Sequence, residues 1–146
     1  FIKNEKNENF EAIETQNFIK NLTFDYSKLN LTRNDSKIIL IRKNQISRAL
    51  VNILDNANKF AEKIYMSSNV SETKWVITIE DDGPGTSLSQ EQLVKPFTKG
   101  SDQLNQGSGL GLSIVQKLIK LNNGELRFED SSHGGLKVLI SLEINY

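Results

Sequence analysis

Near the end of the chain, Leu136, Val138, Ile140, Leu142 and Ile144 alternate with mostly polar neighbours. Successive side chains of a strand point to opposite faces, so a period of two describes a strand with one buried face. Leu126 and Phe128 alternate in the same way, and residues 131–135 (SSHGG) make the turn of a hairpin between the two runs. Trp75, Ile77 and Ile79 give a further strand, which runs directly into Asp81. A sheet with one apolar face must be covered. The sequence supplies the cover between residues 45 and 64, where Ile46, Ala49, Leu50, Ile53, Ala57, Phe60 and Ile64 form one broad helical stripe. Asn44 stands where it can cap that helix.

The remaining elements fit around this pair. A first amphipathic helix is expected from Phe10, Ile13, Phe18, Ile19 and Leu22, after a polar lead-in at residues 1–9. Short strands are expected around residues 29–32 and 37–42, and residues 66–74 read as a polar loop. Residues 86–106 are rich in Ser, Gln and Lys, and are expected to be a long mobile loop with one short helix at 90–94. A last helix runs from about 110 to 121 and stops at Asn122-Asn123-Gly124. The predicted fold class is α/β: a two-layer sandwich, with a mixed β-sheet and helices on one face. Residues 10–146 make one domain.

Composition narrows the function classes. Eighteen basic and eighteen acidic residues cancel, so no net field favours nucleic acid or an anionic membrane. The absence of cysteine excludes disulfides and thiolate chemistry. No apolar run approaches the roughly 20 residues that span a bilayer, and the opening residues lack the pattern of a secretory signal. A chain that opens Phe1-Ile2-Lys3, without Met, is expected to be a piece of a longer protein.

Four short segments in fixed order carry the chemistry. On the long helix, Asn52, Asn56, Lys59 and Lys63 follow at steps of 4, 3 and 4, a narrow polar stripe bordering the apolar face. A solvated helix face is the bland reading. Against it, Asn52, Asn56 and Asn58 are poor helix formers crowded into two turns. An amide oxygen is a hard ligand that suits Mg²⁺, and a Lys one turn away suits a phosphate oxygen. In the second segment, Asp81–Gly85 (DDGPG), an ordinary turn would explain the glycines but not a carboxylate at the end of an apolar strand, where desolvation is costly. A buried carboxylate that accepts from an exocyclic amine selects adenine over guanine, and Gly83 and Gly85 let the backbone close on a flat base.

In the third segment, KPFTKG at residues 95–100, Phe97 anchors a cover over the pocket, and Lys99 is either solvated or a phosphate contact. The fourth, Gly107-Ser108-Gly109-Leu110-Gly111, opens a helix, whose free N–H groups and positive dipole end suit phosphate oxygens. It lacks the strand expected before a dinucleotide loop and the Gly-Lys-Ser/Thr of a Walker loop. A metal ligand, a base-reading carboxylate, a cover and a phosphate cradle together describe an ATP site. His133, the only histidine, falls in the hairpin turn and reads as a surface residue.

This ordered set resembles the GHKL family, the Bergerat ATP-binding fold, in the form found in bacterial sensor histidine kinases. The resemblance covers roughly residues 37–144, and the tail is similar to the osmosensor type of these kinases. In the family's terms residues 52–59 resemble the N box, 81–85 the G1 box, Pro96-Phe97 the F box, and 107–111 the G2 box. The resemblance implies that Asn56 binds Mg²⁺, that Lys59 and Lys99 contact phosphates, and that Asp81 reads the adenine amine. It further implies that Gly83 and Gly85 shape the base pocket, that Phe97 and Gly100 belong to the cover, and that Gly107, Ser108, Gly109, Leu110, Gly111 and Leu112 hold the phosphates. Two departures fall in the cover: Val94 stands where an aromatic is frequent and Lys99 where Arg is common.

Asn52 distinguishes branches of the family. The gyrase, mismatch-repair, heat-shock-chaperone and anti-sigma branches carry Glu at that place, and an amide is no general base near neutral pH. Asn52, Asn56 and Lys59 are therefore expected to serve transfer of the γ-phosphoryl group, not its hydrolysis. The resemblance implies a His acceptor on a separate dimerisation domain of the parent kinase, which is expected to be a homodimer. It also implies onward transfer to a response regulator receiver domain, and no nucleic-acid partner. The fragment is expected in the cytoplasm without direct membrane contact, its parent anchored in the bacterial inner membrane. The other readings are a nucleotide-binding regulatory module without transferase activity and an ATP-hydrolysing clamp.

Overall fold

The computed structural model of the protein describes residues 8–85 and 111–144. In chain order its elements are β1 (Glu11–Glu14), α1 (Thr15–Thr23), β2 (Leu29–Asn34), β3 (Ile38–Ile41) and α2 (Lys43–Phe60). They continue with β4 (Ile64–Val70), β5 (Lys74–Asp81), α3 (Gly111–Leu121), β6 (Glu125–Asp130) and β7 (Leu136–Glu143). Five strands make one sheet in the order β2-β4-β5-β7-β6, and β1 pairs with β3 apart from it. β2 runs parallel to β4 and every other pairing is antiparallel, so the sheet is mixed. The expected α/β two-layer sandwich is the one observed.

The core lies between this sheet and the helices. Ile64, Met66, Trp75, Ile77, Ile79, Val138, Ile140 and Leu142 are buried at alternate strand positions, in one cluster with Phe18 and Ile19 of α1, the apolar stripe of α2, and Leu118 and Ile119 of α3. Trp75 is fully enclosed. Its indole N–H donates to Ser68 Oγ at 2.8 Å, and its ring meets Phe18 edge-on with centroids 5.9 Å apart. Burying each large apolar side chain is worth about 1.5–3 kcal/mol, whereas each Asn in a helix costs roughly 0.7 kcal/mol against Ala. The buried stripe of Ile46, Ala49, Leu50, Ile53, Leu54 and Ala57 therefore holds α2 together through its Asn-rich turns.

Several boundaries differ from the sequence reading. Ile13 belongs to β1, and the first helix starts only at Thr15, where the Glu14 carboxylate accepts from the N–H groups of Gln16 and Asn17 at 2.8 and 3.0 Å. The loop expected at residues 66–74 shrinks to the turn at 71–73, because β4 occupies Ile64–Val70 and β5 starts at Lys74. The inward positions of β4 are Ile64, Met66 and Ser68, and the polar third member disguises the period of two. α2 ends at Phe60, so Ile64 opens a strand and Lys63 leaves the helical stripe.

The start of α2 also departs from expectation. Asn44 lies inside the helix, and the Glu8 carboxylate caps it, accepting from the N–H groups of Asn44 and Gln45 at 2.7 and 3.0 Å. Arg42 gathers the neighbouring segments. It donates to the carbonyls of Glu8 and Leu121, each at 3.1 Å, and its guanidinium lies 4.3 Å from the centre of the Phe10 ring. Asn122 completes the knot by donating to Gln45 Oε1 and the Leu118 carbonyl, both at 2.8 Å. Among the described residues no helix is long and apolar enough to cross a membrane.

Candidate nucleotide site

The contacts of Arg42 and Asn122 place the C-terminus of α3 beside the N-terminus of α2, and the two helices pack along one another. At 1.5 Å per residue the 11 residues of α3 rise about 16 Å, which brings its first turn level with the Asn-bearing half of α2. The level of the start of α3, the site's phosphate-facing end in the sequence reading, is thus fixed along α2 by packing at the far end.

The carboxylate arrives from the sheet. Asp81 is the last residue of β5, half-buried, and its Oδ1 accepts from the N–H groups of Gly83 at 2.9 Å and Leu136 at 3.3 Å. Among the described residues no hydrogen bond reaches Oδ2. Burial pushes the Asp81 carboxyl above its ordinary range, the two amide bonds pull against that shift, and the neighbouring Asp82 charge adds to it. Asp82 behaves in the opposite way. Its Oδ1 accepts from Lys63 and Glu62 N–H at 2.9 and 2.8 Å, and the Lys63 bond leads in holding that carboxyl below its usual value. One aspartate ties the turn to the segment after α2, and its neighbour keeps one oxygen without a partner among the described residues.

The turn is shaped by glycine. Gly85 has φ +71°, a left-handed conformation that side chains resist, and Gly83 lies where an added Cβ would sit 3.0 Å from Asp81 Oδ1 and 3.5 Å from the Phe60 backbone. The tightest approach comes from Gly135, a residue outside the set expected from the sequence. A Cβ there would fall 2.0 Å from Asp81 Oδ1 and 2.5 Å from its carbonyl oxygen, and the Gly135 N–H donates to that carbonyl at 3.2 Å. Gly135 and Leu136 contribute backbone alone, so no side-chain pattern marks them. The sequence signal available was the Gly134-Gly135 pair at the end of a turn.

On α2, Asn52 and Asn56 are half-buried and the side chain of neither makes a hydrogen bond to another described residue, while Lys59 is exposed in the last turn. Polar side chains at a core border ordinarily find partners. Among the described residues no group of three His, Cys, Asp or Glu stands ready to hold a metal. A divalent ion at this place would rely on amide and phosphate oxygens, which the Asn pair fits. Gly111 and Leu112 begin α3, and an added Cβ on Gly111 would meet nothing within 4 Å. The other expected site residues, Phe97, Lys99, Gly100, Gly107, Ser108, Gly109 and Leu110, lie outside the described residues, as do the loop and short helix expected at 86–106. His133 is exposed, as expected, but its ring stacks on Tyr65.

Residues 41–145 match the model of the histidine kinase-, DNA gyrase B- and HSP90-like ATPase family. The chain belongs to that family. The recognition made from the motifs is borne out within it: relatives and structural neighbours are sensor histidine kinases. The sensor histidine kinase CpxA of Escherichia coli K12 is 38% identical over 106 residues, which cover 69% of this chain and 23% of CpxA. The chain thus spans about a quarter of the length of that curated relative. The histidine kinase domain of the Escherichia coli osmosensor EnvZ superposes with a TM-score of 0.69 at 28% identity, covering 93% of this chain and 89% of that one. The catalytic domain of histidine kinase ThkA gives a TM-score of 0.77 at 21% identity, covering 94% and 97%, a likeness of fold. Together these give the chain an ATP-binding role in a sensor kinase.

Proposed function

We propose that this domain binds Mg-ATP and donates the γ-phosphoryl group to a histidine on a separate dimerisation helix of its parent kinase. From there the group passes to an aspartate of a response regulator receiver domain. The observation that carries the reading is Asp81, a half-buried carboxylate with one oxygen saturated by backbone amides and the other without a partner among the described residues. An exocyclic amine would complete it, and guanine, which presents a carbonyl at that place, would leave it uncompensated.

The other residues fall into roles around that anchor. Asn56 offers an amide oxygen for the ion, and Lys59, with Lys99, places positive charge near the phosphates. Bound Mg²⁺ would neutralise charge that develops on the transferring group. Gly83 and Gly85 shape the base pocket, Phe97 and Gly100 belong to its cover, and residues 107–112 offer N–H groups to the phosphates at the start of α3. Asn52 supplies no base, so water near the γ-phosphorus is not activated from this position. The parent is read as a homodimer anchored in the bacterial inner membrane, with this domain on the cytoplasmic side and without nucleic-acid partners.

The test mixes the domain with ATP, Mg²⁺ and a separately made His-bearing dimerisation domain, and follows acid-labile phosphohistidine. Label on the added histidine is expected, with very slow hydrolysis by the domain alone. Brisk turnover without the partner, and no label on it, would overturn transfer in favour of an ATPase.

A further inference from the structure

The backbone groups that hold Asp81 are themselves gripped from the opposite face of the sheet. β4 and β5 pair Ile64 with Asp81 and, one position on, Tyr65 with Glu80. Side chains alternate along a strand, so Tyr65 and Glu80 stand on the face away from the core. The turn between β6 and β7 closes over this pair. Ser131 Oγ donates to Glu80 Oε1 at 2.9 Å, and the His133 ring lies over the Tyr65 ring with centroids 3.9 Å apart and planes 13° from parallel.

Inside the turn, Ser131 N–H donates to the Gly135 carbonyl at 2.8 Å, Gly134 N–H to the Ser131 carbonyl at 3.1 Å, and His133 N–H to Ser131 Oγ at 3.0 Å. The end of the same turn delivers Gly135 N–H to the Asp81 carbonyl and Leu136 N–H to Asp81 Oδ1. One arm of this bracket therefore rests on Tyr65 and Glu80, and the other on the carboxylate. With two glycines in five residues, the turn has little stiffness of its own, and the ring stack and the Ser131–Glu80 bond locate it.

We propose that His133 and Tyr65 are positioning residues for the base-reading carboxylate, and through it determinants of adenine selectivity. This inference rests on the ATP reading above. The stack holds the turn in the position at which Leu136 occupies Asp81 Oδ1 and leaves Oδ2 for the amine. Without the ring the turn can lift, Asp81 can rotate, and the distinction between adenine and guanine weakens although His133 itself touches no nucleotide.

Calorimetric titrations with ADP and with GDP, in Mg²⁺, on the wild type, His133→Ala and His133→Phe provide the test. His133→Ala should lose about three- to tenfold in ADP affinity, the range that the worth of an aromatic pair converts to. GDP affinity should change little, and His133→Phe should restore the ADP value because it restores the ring. On an Asp81→Asn background His133→Ala should cost nothing further, since the stack acts through that carboxylate. A wild type that binds neither nucleotide overturns the ATP reading and this inference together. Wild-type binding with an unimpaired His133→Ala, or with equal losses for ADP and GDP, overturns the inference alone. Loss of the fold in His133→Ala also overturns it, because the stack would then be needed for folding itself.

Discussion

At the N-terminal end of α2 the guanidinium of Arg42, the carboxylate of Glu8 and the amides of Gln45 and Asn122 close on one another. Toward the other end of the same helix, Asn52 and Asn56 are half-buried and their side chains bond to no described residue. Both regions border one core and both are polar. The first spends its hydrogen-bonding capacity on joining three chain segments, and the second keeps its capacity open. Polar groups at a core border are thus of two kinds, and the presence or absence of a partner separates structure from chemistry.

The largest effect that this contrast foretells is at the open end. Asn56→Ala should abolish phosphoryl transfer to a His-bearing partner without lowering the unfolding free energy, because its side chain bonds to no described residue and Ala gains roughly 0.7 kcal/mol in helix propensity. A chain unfolded by circular dichroism would move Asn56 to the structural class. At the closed end, Arg42→Ala should lower stability by about 2–4 kcal/mol, since charge-assisted bonds and a ring contact vanish together and two carbonyls lose a donor. Urea titration measures it, and a loss below 1 kcal/mol would mean that the knot is looser than its geometry.

Asp81→Asn should weaken ATP binding by about 1.5–3 kcal/mol, the worth of a charge-assisted bond. Its stability should not fall. Folded Asp81 titrates above its unfolded value, so the folded chain holds the extra proton between the two, and stability declines as pH rises through that window. Asparagine removes that decline and can still accept both backbone bonds. Asp82 has the reverse sign: its contribution is present above the unfolded value and lost as pH falls through the lowered one. Comparing stability against pH for the wild type and Asp81→Asn checks the sign, and ATP affinity equal to wild type would remove Asp81 from the base pocket. The smallest effect is Glu8→Ala, expected to cost about 1 kcal/mol as the loss of a helix cap. An unchanged denaturation midpoint would show that another group caps α2.

The sheet and its cover were legible wherever a strict period ran long enough. β5, the β6–β7 hairpin and the apolar stripe of α2 all show it. β4 was hidden because its third inward position is Ser68, whose hydroxyl is used by the Trp75 indole, a pairing that a hydrophobicity pattern does not carry. β1 was absorbed into a helix because Ile13, Phe18 and Ile19 keep near-helical spacing across the junction at Thr15. Within the site, Asp81 and Asn56 stood out because each is the wrong residue for its place if only folding mattered. Gly135 and Leu136 did not, since they act through backbone groups brought from more than 50 positions away.

The single tryptophan offers an optical consequence. Trp75 is the second residue of the strand that Asp81 ends, and six residues at about 3.3 Å each separate the indole from the carboxylate by roughly 20 Å. Sealed under α1, with its N–H on Ser68 and its edge to Phe18, it is shielded from quenchers in solvent as long as the core is intact. Its emission should redshift when the chain unfolds and stay constant when nucleotide enters. Every variant of the pocket then carries its own internal fluorometer for folding, blind to the ligand and ready without a label.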